Sequence, residues 1–260
     1  MADHSRISAR DLSVTFARTT VLNSLSVAIP DGAVTAIVGP NACGKSTLLR
    51  SLARLQKASH GQVILDGKSI ADQNSKSVAR RLAILGQSPI APEGLSVRDL
   101  VLRGRTPHQS AWRQHSAEDA AAVASALSAT GMEGLENRLL DTLSGGQRQR
   151  AWIAMALAQD TQILLLDEPT TYLDLPHQIE LLDLVRRLNR ETGRTVAMVL
   201  HDINLAARYC DHVIALRGGD IHSEGPPQQV ITHAMMNEVF DLPCTIIADP
   251  NHGTPHIIPS

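Results

Sequence analysis

The residues Gly39-Pro40-Asn41-Ala42-Cys43-Gly44-Lys45-Ser46 have the types and spacing needed to hold a polyphosphate. Glycines let the backbone wrap the anion, so that successive N–H groups point inward as a nest. The N-terminus of a following helix adds partial positive charge. Lys45 then reaches the β- and γ-phosphates, the Ser46 hydroxyl is a ligand for Mg²⁺, and Thr47 adds a hydrogen bond to the α-phosphate. The motif predicts binding of a nucleotide and leaves open what is done with it. A glycine-rich turn that binds nothing is the bland alternative, and the flanking elements argue against it.

A second set of residues lies downstream. Leu143-Ser144-Gly145-Gly146-Gln147 precedes a helical stretch, where Ser144 and Gln147 have the spacing of a capping box. Leu164-Leu165-Leu166-Asp167-Glu168 ends an apolar run on two carboxylates. Asp167, at the end of a buried strand, is aimed at the Mg²⁺ side of a nucleotide. A pair that only caps the next segment is the alternative.

The elements that must position these residues alternate. Ala33–Val38 reads as a strand and Lys45–Arg54 as a helix, followed by short strands at Gln62–Leu65 and Leu82–Leu85. Ile163–Leu166 is a continuous apolar run, as in a strand buried on both faces. A helix with Pro176 in its first turn and Ile179, Leu182 and Val185 on one face follows. Strand Thr195–Leu200, helix Ile203–Arg208 and strand Val213–Leu216 complete the series. Such alternation predicts an α/β fold with a mainly parallel sheet. Between about 96 and 159 the reading is helical: Ser96–Arg103, Ala117–Thr130 and Gly145–Gln159, rich in alanine and without β-branched runs. The expected organisation is one domain over 1–260: an α/β core at 1–88 and 160–225, an inserted helical subdomain at 89–159, and a tail at 226–260. That tail combines a Pro-rich turn, a short helix near Met235–Phe240 and a weak strand.

Composition narrows the function classes. A net charge of −2 and a pI near 6.6 give no electrostatic reason to expect nucleic acid. The opening Met1-Ala2-Asp3-His4-Ser5-Arg6 lacks the apolar stretch of a signal peptide. No uncharged run approaches the roughly 18 residues of a membrane helix, so any membrane connection is expected through a partner. Cys43, Cys210 and Cys244 have no zinc spacing and suit a reducing compartment.

Together, the phosphate loop, the Leu143–Gln147 segment and the Asp167-Glu168 strand end resemble the ABC ATPase family over nearly the whole chain, with the P-loop NTPase fold that this implies. The resemblance implies a head-to-tail homodimer with ATP between the phosphate loop of one subunit and Ser144, Gly145, Gly146 and Gln147 of the other. It implies that Glu168 is the catalytic base, that Gln87 is the loop glutamine contacting Mg²⁺ or water, and that His201 is the switch histidine on the γ-phosphate. Asp174 matches the aspartate that couples the two sites, and as an alternative or simultaneous role it caps the Pro176 helix. Phe16 sits where the family stacks an aromatic on adenine, with a core position as the alternative. Two departures stand out. Ala42 occupies a position where glycine is usual, at a cost on the order of 1 kcal/mol if φ is positive there. Phe16 replaces the commoner tyrosine and keeps its stacking face.

Within the family the stretches Gly145–Met155, Asp167–Asp174, Leu200–Cys210 and Ala91–Gly94 look like ATPases of ferric-siderophore importers, with haem or cobalamin importers and soluble non-transport ABC proteins as alternatives. The resemblance implies permease partners, an extracytoplasmic binding protein reached indirectly, and a location on the cytoplasmic face of the membrane. The segment Ser88–Trp112 is expected to receive a permease helix. Cys43 has two readings: a thiol activated by Lys45 and the helix N-terminus, or a small spacer whose sulfur points into the core.

Overall fold

A computed structural model describes residues 5–87, 89–109 and 116–260 of the chain. In chain order its strands are β1 (Ile7–Phe16), β2 (Thr19–Ile29), β3 (Val34–Val38), β4 (His60–Leu65), β5 (Lys68–Ser69), β6 (Leu82–Leu85), β7 (Ile163–Leu166), β8 (Thr195–Val199), β9 (His212–Arg217), β10 (Asp220–Gly225), β11 (Cys244–Ala248) and β12 (Pro255–Pro259). Its helices are α1 (Lys45–Leu52), α2 (Ser75–Ala79), α3 (Val97–Arg103), α4 (Ala117–Ala129), α5 (Gly145–Ala158), α6 (Leu175–Thr192), α7 (Ile203–Tyr209), α8 (Pro227–Val230) and α9 (His233–Phe240). Ser88 and residues 110–112 of the expected docking segment lie outside the described residues. Among the described residues no helix is long and apolar enough to cross a membrane.

The chain forms two compact units, Met1–Gln73 with Thr195–Ser260, and Asn74–Arg194. In the first, β3 lies between β8 and β9 and runs parallel to both, and β10 returns antiparallel beside β9. Every residue of β3 and β8 is buried, which is why both read as mainly apolar runs, broken only by Thr35 and Thr195, rather than as alternating ones. A second sheet, in the order β2-β1-β4-β5, is entirely antiparallel. Its long strands β1 and β2 are absent from the sequence reading, and the backbone supplies the reason. Asp11 (φ 48°) and Ser24 (φ 47°) take left-handed conformations, and the pairing of β1 with β2 shifts register between Ala9 and Leu12. Such irregularities break the two-residue period that would reveal a strand. The tail is richer than expected as well: its weak strand is the hairpin β11–β12.

In the second unit β6 and β7 pair in parallel, and α3, α4 and α5 pack on one another. The helix starts are capped. Ser96 accepts from the Asp99 N–H, Ser116 and Asp119 form a capping box, and Ser144 and Gln147 form another, as their spacing predicts. Arg105 is only 6% exposed. It donates to Asp119 at 2.8 Å and to the Ala158 carbonyl at 2.9 Å, tying the residues after α3 to α4 and to the end of α5.

Candidate active site

The phosphate loop leaves the buried end of β3 and enters α1 through two glycines that no other residue could replace without movement. A Cβ at Gly39 (φ 151°) would run into the Leu216 carbonyl and the Cys43 sulfur; at Gly44 (φ 105°) it would lie 2.6 Å from the Leu22 side chain. No side chain caps α1 and its first turn has no acidic residue, so the N-terminus faces an incoming anion without a competitor from that turn. Lys45 is 5% exposed, and its ammonium donates to the carbonyls of Gly39 and Pro40 at 2.9 and 2.8 Å. The charge is thereby held inside the loop it must serve. Asn41 and Ala42 are exposed, and Ser46 and Thr47 are half-buried at the start of the helix. Ala42 adopts φ 62°, so the strain foreseen for alanine at this position is present.

Cys43 departs from the thiolate expectation. Its side chain is buried, 5% exposed, with the sulfur directed at Gly39. Burial pushes the thiol pKa up, outweighing the opposing attraction of Lys45, so Cys43 is a neutral packing group here.

His201 reaches the same sheet edge as the loop. Ile37 of β3 pairs with Val199 of β8, and Gly39 and His201 each stand two residues beyond that pair, at the C-terminal edge of parallel strands. This is where α/β sheets place ligand-binding loops. His201 is exposed, and Asp202 caps the next helix by accepting from the Leu205 N–H at 2.9 Å. Phe16, at the end of β1, is 47% exposed, which excludes the core alternative and leaves a face available for stacking.

The carboxylates are built by the same geometry in the second unit. Leu85 of β6 pairs with Leu166 of β7, which puts Gln87 and Glu168 two residues past a paired position. The Gln87 amide donates to Glu168 Oε2 at 2.5 Å. The Thr171 hydroxyl donates to the same oxygen at 3.0 Å, and Glu168 itself holds φ 52°. Strain of this kind persists where surrounding contacts over-determine the backbone. Asp167 is 1% exposed, its N–H donating to the Leu85 carbonyl at 2.8 Å. Sequence reasoning missed Thr171, whose only signal is its spacing three residues after Glu168.

Ser144 and Gly145 are exposed at the start of α5, whereas Gly146 is buried. A Cβ on Gly146 would lie 2.7 Å from the His177 ring, so its small size serves packing inside the chain. A Cβ on Gly145 would meet nothing nearer than the Tyr172 carbonyl at 3.9 Å. Asp174 does cap α6, accepting from the His177 N–H, and also pairs with the His177 ring. That hydrogen bond from His177 holds the Asp174 carboxyl below the usual range.

Ser46 in the first unit, and Gln87 and Asp167 in the second, each carry an oxygen of the hard kind that Mg²⁺ selects. The uncapped start of α1, reached through a loop whose two glycines pack too tightly on their neighbours to admit a Cβ, leaves backbone N–H groups suited to a phosphate.

The ABC transporter family matches residues 22–171. The chain is 52% identical over 255 residues to a probable siderophore transport system ATP-binding protein of Bacillus subtilis, covering 98% of this chain and 93% of that one. It is 51% identical over 255 residues to the ferric enterobactin transport ATP-binding protein of Escherichia coli, covering 98% and 94%. Among solved structures it is similar to a dimeric post-hydrolysis state of the ATP-binding cassette MJ0796 bound to ADP and Pi, with a TM-score of 0.74 and 28% identity over 85% of this chain and 98% of that one.

Proposed function

The chain belongs to the ABC transporter family of ATPases, and from that premise we propose that it is the ATP-hydrolysing subunit of an importer of ferric siderophores. The substrate class is supported by identity of about half over nearly the whole length with two ATP-binding proteins of siderophore transport systems. The chemistry is supported by Glu168, held by Gln87 and Thr171 at the C-terminal ends of β6 and β7.

In this reading Gly39, Pro40, Asn41, Ala42, Cys43 and Gly44 wrap the phosphates with their backbone, and Phe16 stacks on the base. Lys45 exchanges its bonds with Gly39 and Pro40 for phosphate oxygens, keeping a buried charge paired throughout. Ser46, Asp167 and Gln87 hold Mg²⁺, which when bound neutralises charge on the phosphoryl oxygens. Two donors on one oxygen fix the plane of the Glu168 carboxylate, so that it can take the proton of the attacking water. His201, at the same sheet edge as the phosphate loop, donates to the γ-phosphate. Two copies associate head to tail, the exposed Ser144 and Gly145 of one facing the nucleotide of the other, with Gln147 holding Ser144 in place and Asp174 at the junction. Residues 89–159 form the helical subdomain that receives permease helices on the cytoplasmic face. A substrate-binding protein delivers the chelate on the far side.

The test is reconstitution with the permease that co-purifies with the chain from its own cells. Mg²⁺-dependent ATPase activity and uptake of a ferric siderophore, in preference to haem or cobalamin, are expected. Glu168→Gln is expected to bind ATP while turnover falls at least about 100-fold. Lys45→Ala should weaken nucleotide binding itself. Near-normal turnover by Glu168→Gln refutes the assignment of the base, and uptake of haem or cobalamin alone refutes the substrate class.

A further inference from the structure

α7 begins two residues after His201 and is only seven residues long, too short to hold itself in place. Its placement is therefore set by what it packs against. Leu205, Ala206, Ala207 and Tyr209 are buried, and Leu200, just before the histidine, is pinned by its N–H to the Ile37 carbonyl at 3.2 Å. On the other side the helix is tied to the far end of the chain. Asn204 accepts from the Ile257 N–H at 2.7 Å and donates its amide to the Ile257 carbonyl at 3.1 Å. The side chain thus exchanges both bonds with one residue of β12, as a neighbouring strand would. Ile257 is 6% exposed and is paired on its other side with Ile246 of β11, so its outward N–H and carbonyl need a partner within the protein. A two-point amide contact fixes the rotation of a short helix in a way that apolar packing does not.

We infer that Asn204 is a positioning residue for His201, with the C-terminal hairpin β11–β12 acting as the strap that holds α7. The inference rests on the γ-phosphate role given to His201. The strap sets where the histidine stands when it donates, and so acts on turnover rather than on nucleotide affinity. Asparagine is required because it alone offers one donor and one acceptor at this reach. Aspartate keeps the acceptor and loses the donor, and glutamine is longer by a methylene.

The test uses the full chain and places Asn204→Ala and Asn204→Asp in wild-type and His201→Ala backgrounds. Single-turnover and steady-state ATP hydrolysis are read beside equilibrium nucleotide affinity and the thermal midpoint. In the wild-type background kcat is expected to fall about tenfold with affinity unchanged. In the His201→Ala background the same substitutions should cause no further loss, because nothing remains to position. If His201→Ala leaves kcat intact, the reading of the histidine fails. If it lowers kcat while the Asn204 variants do not, or if their losses multiply with it, the strap is refuted. Should Asn204→Ala fold poorly, the isosteric Asn204→Asp carries the same comparison.

Discussion

Gln87 and Glu168 are 81 residues apart in the chain, yet the glutamine amide donates to the glutamate at 2.5 Å. The parallel pairing of Leu85 with Leu166 creates this contact, since both side chains then emerge two residues later at one edge. Thr171 makes the second bond to the same oxygen. Hydrogen bonds to an ionised group are worth roughly 1.5–3 kcal/mol.

Thr171→Val, which keeps shape and removes one donor, should therefore lower kcat by roughly tenfold while leaving ATP affinity unchanged. Steady-state hydrolysis combined with nucleotide titration checks this. An unchanged kcat would mean that the threonine does not orient the carboxylate.

The adjacent glycines of the Leu143–Gln147 segment separate into two kinds. Gly146→Ala drives a methyl into the His177 ring, which must shift from its bond to Asp174, and should destabilise the fold by roughly 1–3 kcal/mol. Gly145→Ala has room within the chain, so its thermal midpoint should be unchanged. A loss of ATPase activity in Gly145→Ala alone would then report contact with a second subunit. Equal stability losses in both variants would contradict this division.

Ala42 at φ 62° carries strain that glycine would not. Ala42→Gly removes about 1–2 kcal/mol of that strain and loses roughly 0.5–1 kcal/mol to greater freedom of the unfolded chain. A rise of about 1–4 °C in thermal midpoint is expected, measurable by calorimetry without nucleotide. A lower midpoint would show that the loop gains more from the stiffer alanine.

The buried Arg105–Asp119 pair predicts an acid-dependent stability. Arg105 holds the Asp119 carboxyl below the usual carboxylate range, so the folded protein releases this proton more readily than the unfolded chain. The stabilisation is fully present above the unfolded value of about 3.9 and disappears as pH falls through the lower folded one. Asp119→Asn should lower stability by roughly 3 kcal/mol at pH 7, since it leaves the Arg105 charge buried without its counterion. Denaturant unfolding at several pH values should show the gap between wild type and variant narrowing towards pH 2. A constant gap would mean that the loss comes from packing rather than charge.

The amino-acid sequence alone determined the phosphate loop, the capped start of α5 and the mainly apolar strands β3, β6 and β7. Each is a local pattern: glycines where backbone must bend, a serine three residues before its partner, aliphatic runs buried on both faces. The family resemblance marked Gln87, Glu168 and His201 individually, but no spacing along the chain could reveal that Gln87 holds Glu168. That depends on the register between β6 and β7. The burial of the Cys43 thiol against Gly39 was equally out of reach, because desolvation depends on what surrounds a group and not on its neighbours in sequence. Strands β1 and β2 went unread because bulges at Asp11 and Ser24 interrupt their period. The contacts of Gly146 with His177 and of Asn204 with Ile257 join residues 31 and 53 positions apart (177 − 146 and 257 − 204). Only the packing of α5 beside the start of α6, and of β12 against α7, brings those groups within reach, because a side chain's partner across such a separation is chosen by the path of the backbone between them.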